Sequence, residues 1–392
     1  MSAGRFRRGL RHLSRSGWPV ALPASPTASA AQIRLKRAAR AAILARWPWP
    51  LRPIAAFAMA LAWPVGAYRA ARAAQHLALR PTKPGLAGRA FRAALRHNIA
   101  PWDYVVCGMD GSDAPSEAWL GSVELPALAA RLAPRAAEAL IADKEAFARL
   151  MAAEGLPHPQ TLEAGAPWPP VDLIEKPRRG ARAEGLRRLV WRGDRHWPGP
   201  MGGLLQPFVP PDPRIASGGL GPPVVRAISV CPPGRAPRVA LALVQLPPAG
   251  RIASQGGPFR LIDPETGRIA RAGPGQPPET VAPLETGALL PDWARLLEAV
   301  RVAHAMLPGP PGLLGFDIAL GPEGPQILEA NLGVAVAPWQ WSLQTPAWDA
   351  LGEDLARCLA APGRGAQMPA PRAPHQEPRP PPEPRPRPEF RP

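Results

Sequence analysis

The stretch GFDIALGPEGPQILEANLG, residues 315–333, decides the fold. Two apolar runs flank Gly321-Pro322-Glu323-Gly324, and a type I turn favours Pro second and Gly last. A three-residue loop closed by a left-handed Gly324 predicts a hairpin with Asp317 opposite Glu329. Side chains alternate along a strand, so Asn331 shares the face of Glu329 while Ile318, Leu328 and Ala330 pack behind. Two carboxylates and an amide oxygen then converge. Like charges so close repel unless a divalent cation separates them, and an incomplete oxygen set suits Mg2+ with phosphates completing its shell. A hairpin with its acids in solvent is the alternative; the apolar runs around them predict a covered sheet instead.

Working outward, VVRAISV (224–230) and RVALALVQL (238–246) read as further buried strands, the first interrupted by Arg226. An arginine there is either bound to a ligand or paired with an acid of the last sheet. Upstream, VDLIEKP (171–177) reads as a strand that ends at Lys176 and leads into RRGARAEGL, whose Gly180 and Gly185 could fold over a phosphate chain. A buried ammonium beside such a loop needs an anionic partner. Asp143 can cap a helix from Lys144 to Glu154, ended by Gly155, which sets Lys144 in a first turn that already favours anions; a solvated surface lysine is the alternative. LLQPFVP (204–210) is a short strand, and SQGGPFRLIDPETGRI (254–269) supplies a Gly-Gly turn and a polar loop able to clamp a substrate.

Composition sharpens these choices. The 392 residues include 58 prolines and 47 basic residues, of which only Lys36, Lys83, Lys144 and Lys176 are lysines, so each lysine stands out against an arginine background. The net charge of +17 is local: 18 basic residues precede the first acid, Asp103, and the rest carries 29 basic against 30 acidic groups. That distribution argues against a nucleic-acid protein, whose basic footprint would mark the folded core. Cys107, Cys231 and Cys358 are too scattered for a zinc site or a disulfide framework, which suggests a reducing compartment. RFRRGLRHLSRSG has the charge of a signal-peptide start without the apolar segment that should follow.

The boundaries expected are a flexible basic arm (1–30), a basic amphipathic helical region (31–98), two α+β portions (99–210 and 211–361) and a Pro-rich disordered tail (362–392). Within the helical region PIAAFAMALAWPVGAY (53–68) is uncharged, shorter than the ~20 residues that span a bilayer, and interrupted by Pro64. It reads either as an interfacial anchor with Phe57, Trp63 and Tyr68 at the headgroups of an anionic membrane, or as a helical hairpin packed on the next domain with a basic outer face.

In order, the two lysines, the glycine loop, LLQPFV, Arg226 and D-x11-E-x-N resemble the ATP-grasp superfamily. More narrowly, the chain is similar to the sugar-transfer-associated ATP-grasp family. The motifs that carry this likeness are ADKEAFARLMAAEGLPHPQT, VVRAISV, SQGGPFRLIDPETGRI, PDWARLLEAVRVAHAML and LLGFDIALGPEGPQILEANLG, across residues 101–361. The resemblance implies an α+β ATP-grasp fold, two subdomains gripping a nucleotide. It implies that Lys144, Lys176, Gly180 and Gly185 surround the phosphates of ATP, and that Gln206, Phe208 and Val209 line the adenine hinge. Arg226 would meet the γ-phosphate, Asp317, Glu329 and Asn331 would hold Mg2+, and Ser254, Gln255, Gly256 and Gly257 would face the substrate. Two departures stand out. Pro207 replaces a common acid and lacks an N–H, so an adenine-facing donor must come from Phe208 or Val209. Ala282-Pro283 stands where His-Pro is usual.

The activity implied is carboxylate–amine or carboxylate–nucleophile ligation through an acyl phosphate, with small-molecule substrates, in cell-envelope polysaccharide or glycoconjugate metabolism. The alternatives are phosphoryl transfer to a hydroxyl, or a degenerate ATP-grasp domain serving as a membrane-associated binding protein. The expected location is cytoplasmic, peripheral on the inner membrane face if the helical region binds lipid. No Ser-His-Asp or Cys-His arrangement is evident, and His196 and His304 have no recognisable partners.

Overall fold

A run of helices leads into two antiparallel sheets. The computed structural model describes residues 28–361 except 46, 75–83, 98, 113, 115–117, 123, 163–170, 180–184, 192–202, 216–218, 255–256, 271–283 and 344. The arm up to residue 27, the tail, Gly180, Gln255, Gly256, His196 and Ala282-Pro283 lie outside the described residues.

The helices α1 (Ala30–Leu44), α2 (Arg52–Ala74), α3 (Leu86–His97), α4 (Pro101–Val106), α5 (Glu124–Arg131), α6 (Arg135–Ala142) and α7 (Lys144–Ala153) come first. Strands β1 (Val171–Pro177), β2 (Arg187–Trp191) and β3 (Gly203–Pro207) form a small sheet in the order β2-β1-β3. A larger sheet, ordered β6-β5-β4-β7-β8, joins β4 (Val224–Val230), β5 (Arg238–Gln245), β6 (Phe259–Ile262), β7 (Leu313–Gly321) and β8 (Gly324–Asn331). Helix α8 (Trp293–Met306) precedes β7, while α9 (Ala337–Leu343) and α10 (Trp348–Ala360) follow β8. The architecture is α+β, and every strand pairing within both sheets is antiparallel.

Both faces of the large sheet are covered, as its unbroken apolar runs require. Val225, Ala227, Val244, Phe316, Ile318 and Ile327 pack with Phe147 and Met151 of α7 and Leu296 and Val300 of α8. On the other face, Ile228, Leu241, Leu243 and Leu313 pack with Leu35 and Ala39 of α1, Leu125 and Leu128 of α5, and Leu351 and Leu355 of α10. The helical region therefore begins inside the main core. Lys36 on α1 donates to Glu124 on α5 at 2.6 Å, so this scarce lysine is a structural partner.

The hairpin departs from its predicted geometry while keeping its key pair. Gly321 pairs with Gly324 around a two-residue link, where the φ of +106° at Gly324 is glycine's province. Ile318 pairs with Ile327 and Asp317 with Glu329, so Leu328 is the extra residue of a bulge. The consequence for packing is a correction: Ile327 joins the core, and Leu328 is only half-buried.

Three other expectations change. His304 is a core histidine after all, its Nδ1 2.8 Å from Ser229 Oγ and its Nε2 2.8 Å from the Pro311 carbonyl. Helix α2 runs through Pro64, and the carbonyl that the ring deprives of a partner belongs to the exposed Ala60. Trp63 does not join an outward aromatic face. It is buried and donates from Nε1 to the Ala94 carbonyl of α3 at 3.0 Å.

Candidate active site

Cross-strand pairing sets Arg226 of β4 beside Asp317 of β7, and Asp317 beside Glu329 of β8. Since these positions share one pleat face, the three side chains form a row across the sheet. Asn331 extends it one pair further, opposite Gly315. The Arg226 Nε lies 3.8 Å from Asp317 Oδ1, an ion pair without a hydrogen bond, and that nitrogen is buried and unsatisfied. Asp317 shares a hydrogen bond with Glu329; burial first, and the Glu329 charge after it, raise its proton affinity well above an ordinary carboxylate's against the pull of Arg226.

The small sheet and α7 bring two ammonium groups to Glu329 and the bulge beside it. Asp143 caps α7, accepting from the amides of Glu145 and Ala146 at 3.2 Å each. Its carboxylate also receives Arg178, at 2.8 and 2.9 Å from Nε and 2.6 Å from Nη2, and those bonds hold its pKa down to about 2. The Lys144 amide in turn donates to the Arg178 carbonyl at 3.1 Å. Helix start and strand end are thus clamped together, which fixes Lys144 and Lys176 relative to each other. Lys144 Nζ lies 3.4 Å from Glu329 Oε2, while Lys176 Nζ donates to the Leu328 carbonyl, at the bulge, at 3.2 Å. Burial depresses the Lys176 pKa to about 8; Glu329 offsets part of that and Lys144 adds to it.

The segment between α7 and β1 ties the two sheets together. Ile327 of β8 donates its amide to the Pro157 carbonyl at 2.8 Å, and Leu162 donates to Leu205 of β3 at 2.9 Å. Gln206 is buried and spends its side chain on the Pro159 carbonyl at 2.9 Å, so it holds this segment. The Phe208 amide donates to the Asp172 carbonyl at 2.8 Å. Of the two donors expected at an adenine hinge, this leaves the amide of Val209. The Phe208 ring lies under the Arg188 guanidinium, 4.2 Å away.

Other residues expected at the site lie further out. Gly185, with φ +74°, closes the turn into β2 against Pro177. Ser254 and Gly257 belong to the β5–β6 edge, two strands across the sheet from Asp317. Gly257 is required there because a Cβ would come within 1.9 Å of the Leu246 carbonyl.

Among the described residues no group of three or more His, Cys, Asp or Glu side chains is placed to hold a metal. The row offers two carboxylates and an amide, an all-oxygen set that fits a hard divalent cation sharing its shell with phosphate oxygens, and that fits zinc or copper poorly. Three residues essential to the geometry are not evident from motif reading. Arg178 makes the clamp, Leu328 turns its carbonyl to Lys176, and Gly315 leaves room for Asn331. A Cβ at Gly315 would sit 3.0 Å from Asn331 Oδ1. Gly315→Ala is therefore expected to displace the amide and weaken divalent-cation binding at the row by roughly ten-fold, the usual scale for disturbing a ligand's support, with little change in melting temperature. Calorimetric titration with Mg2+ beside a thermal melt checks both halves.

No family model matches the chain, and neither does any curated protein. Solved structures resemble it at low identity. An ATP-grasp superfamily protein from Archaeoglobus fulgidus is 15% identical with a TM-score of 0.35, over 56% of this chain and 55% of that one. An L-amino acid ligase from Bacillus licheniformis is 14% identical at a TM-score of 0.35, over 60% of this chain and 53% of its own. The D-alanine–D-alanine ligase from Coxiella burnetii is 11% identical at 0.36, over 60% and 66%. The chain spans between about half and two thirds of the length of these proteins. Likeness of this degree assigns no activity; that has to come from the side chains.

Proposed function

We propose that the chain is an ATP- and Mg2+-dependent carboxylate ligase of ATP-grasp type. The observation that carries this reading is the meeting of Lys144 and Lys176, from α7 and the small sheet, with Glu329 and the Leu328 carbonyl on the large sheet, where Glu329 pairs with Asp317. Two ammonium groups that lean on a carboxylate and a carbonyl are ready to exchange those partners for phosphate oxygens. Glu329, released from Lys144, then joins Asp317 and Asn331 as a cation ligand. Mg2+ held there would neutralise charge on the phosphates.

ATP is the co-substrate. Lys144 and Lys176 bind its phosphates, Val209 offers its amide to the adenine, and Arg226 orients the γ-phosphate. The bound acid's carboxylate oxygen attacks the γ-phosphorus, ADP leaves, and an amine displaces phosphate from the resulting acyl phosphate. We assign the acid to the segment of Ser254 and Gly257, which also contains Gln255 and Gly256. The resemblance to the sugar-transfer-associated family directs the search toward sugar acids and amino acids.

The test is a screen of those acids against amines with ATP and Mg2+, read by product mass and ADP release. Condensed product with ADP formation dependent on both partners is the result expected. ADP formation that needs only a hydroxyl acceptor would replace ligation by phosphoryl transfer, and failure to bind ATP would end both readings.

A further inference from the structure

Among the described residues nothing covers the outer face of α2 beyond the edge contact of Tyr68 with Phe91 of α3. Ile54, Phe57, Leu61, Val65 and Tyr68, spaced by three and four residues, form a single stripe along the helix. They are 64%, 66%, 64%, 57% and 53% exposed, and the stripe continues into Trp49 at 78%. The intervening Ala58, Ala62 and Pro64 are exposed and apolar too. The opposite face of α2 is occupied: Trp63 and Ala67 pack against Phe91 and Ala94 of α3, and Ala71 and Ala74 against Leu86, Ala90 and Val105.

We infer that this stripe seats α2 in the interfacial zone of an anionic bilayer, with its axis in the membrane plane. Charge complementarity selects that occupant. Arg52 stands at the start of α2 and the exposed Arg69 and Arg72 near its end, and no acidic residue occurs anywhere in residues 1–102. A long apolar face between arginines, in a segment free of acids, matches acyl chains below and anionic headgroups around. Trp49 and Tyr68 stand at the two ends of the stripe, where amphipathic rings meet headgroups.

The segment Trp49–Ala74, 26 residues with hydropathy 1.3 over its most apolar window, is long and apolar enough to cross a membrane. Its packed face argues for lying flat. A crossing helix would have to leave α3 and break the Trp63–Ala94 bond, whereas an in-plane helix keeps both. Because α2 is fastened through α3 to α4, docking holds the folded body against the surface.

The experiment is co-sedimentation of the full chain with phosphatidylcholine vesicles with and without phosphatidylglycerol, for the wild type and for Phe57→Glu/Leu61→Glu, with a Val65→Ser/Tyr68→Ser variant as a milder second probe. Both pairs are surface residues, and a thermal melt verifies that each variant folds. The expected result is sedimentation with the anionic vesicles, reduced at least roughly ten-fold by the glutamate pair and less by the serine pair. Four results would overturn the inference: no sedimentation of wild type; binding unchanged in both variants and lost in salt, which would leave arginines alone responsible; self-association without lipid that the glutamate pair abolishes, which would make the occupant a second copy; or resistance to an alkaline carbonate wash, which would mean a spanning helix. None of these readouts depends on ATP or on ligation.

Discussion

Asp317→Asn is expected to stabilise the nucleotide-free, metal-free protein while abolishing ATP-dependent turnover. Burial and the neighbouring Glu329 raise the folded pKa of Asp317 above its unfolded value, so the charged form burdens the fold. The sign follows from linkage: the cost is full above the folded pKa and fades as the pH falls through it toward the unfolded value. Removing the charge at about pH 7.5 should return on the order of 2 kcal/mol. For a chain of this size that is a rise of roughly 2–3 °C in melting temperature, shrinking toward about pH 5. Melts at the two pH values with chelator present, beside an activity assay, test it. A lower melting temperature in the variant would mean that Asp317 serves chiefly as the ion-pair partner of Arg226.

Lys176→Met should weaken ATP binding by about 100-fold, the scale of losing charge-assisted bonds to phosphate. The same change should abolish a proton uptake expected of the wild type. With its pKa pushed down to about 8, Lys176 is largely neutral in the free protein near pH 9. A phosphate at its Nζ would favour the ammonium, so nucleotide binding above the folded value draws a proton from solution, and binding well below it draws none. Calorimetry of ATP binding in buffers of different ionisation enthalpy measures this directly. Equal affinity and equal uptake in Lys176→Met would remove that lysine from the nucleotide site.

The parts of this site that rest on neighbours in sequence were legible before the fold was known. Asp143 is followed by a helix with Lys144 in its first turn because a cap and the amides it satisfies lie within three residues. The pairing of Asp317 with Glu329 follows from turn chemistry and strand alternation, although the extra residue lies at Leu328 rather than in the turn. The reason is packing: Ile327 takes the core position beside Ile318.

Arg178 illustrates what was not legible. It is one of many arginines in the chain, and only closure of the segment between α7 and β1 brings it to Asp143. The burial of α1 against the large sheet has the same origin. An Ala, Leu and Arg pattern predicts an amphipathic helix but does not say which surface receives its apolar side. On α2 the pattern is apolar on both faces, so tertiary contacts alone determined that Trp63 turns inward while Phe57 and Tyr68 face out. The sequence by itself determined the caps, the periods and the chemistry of the candidate ligands, since those are short-range. Tertiary structure decided which charges meet, which lysine loses its solvent and which apolar face is left open, because each depends on segments far apart along the chain excluding water from one another.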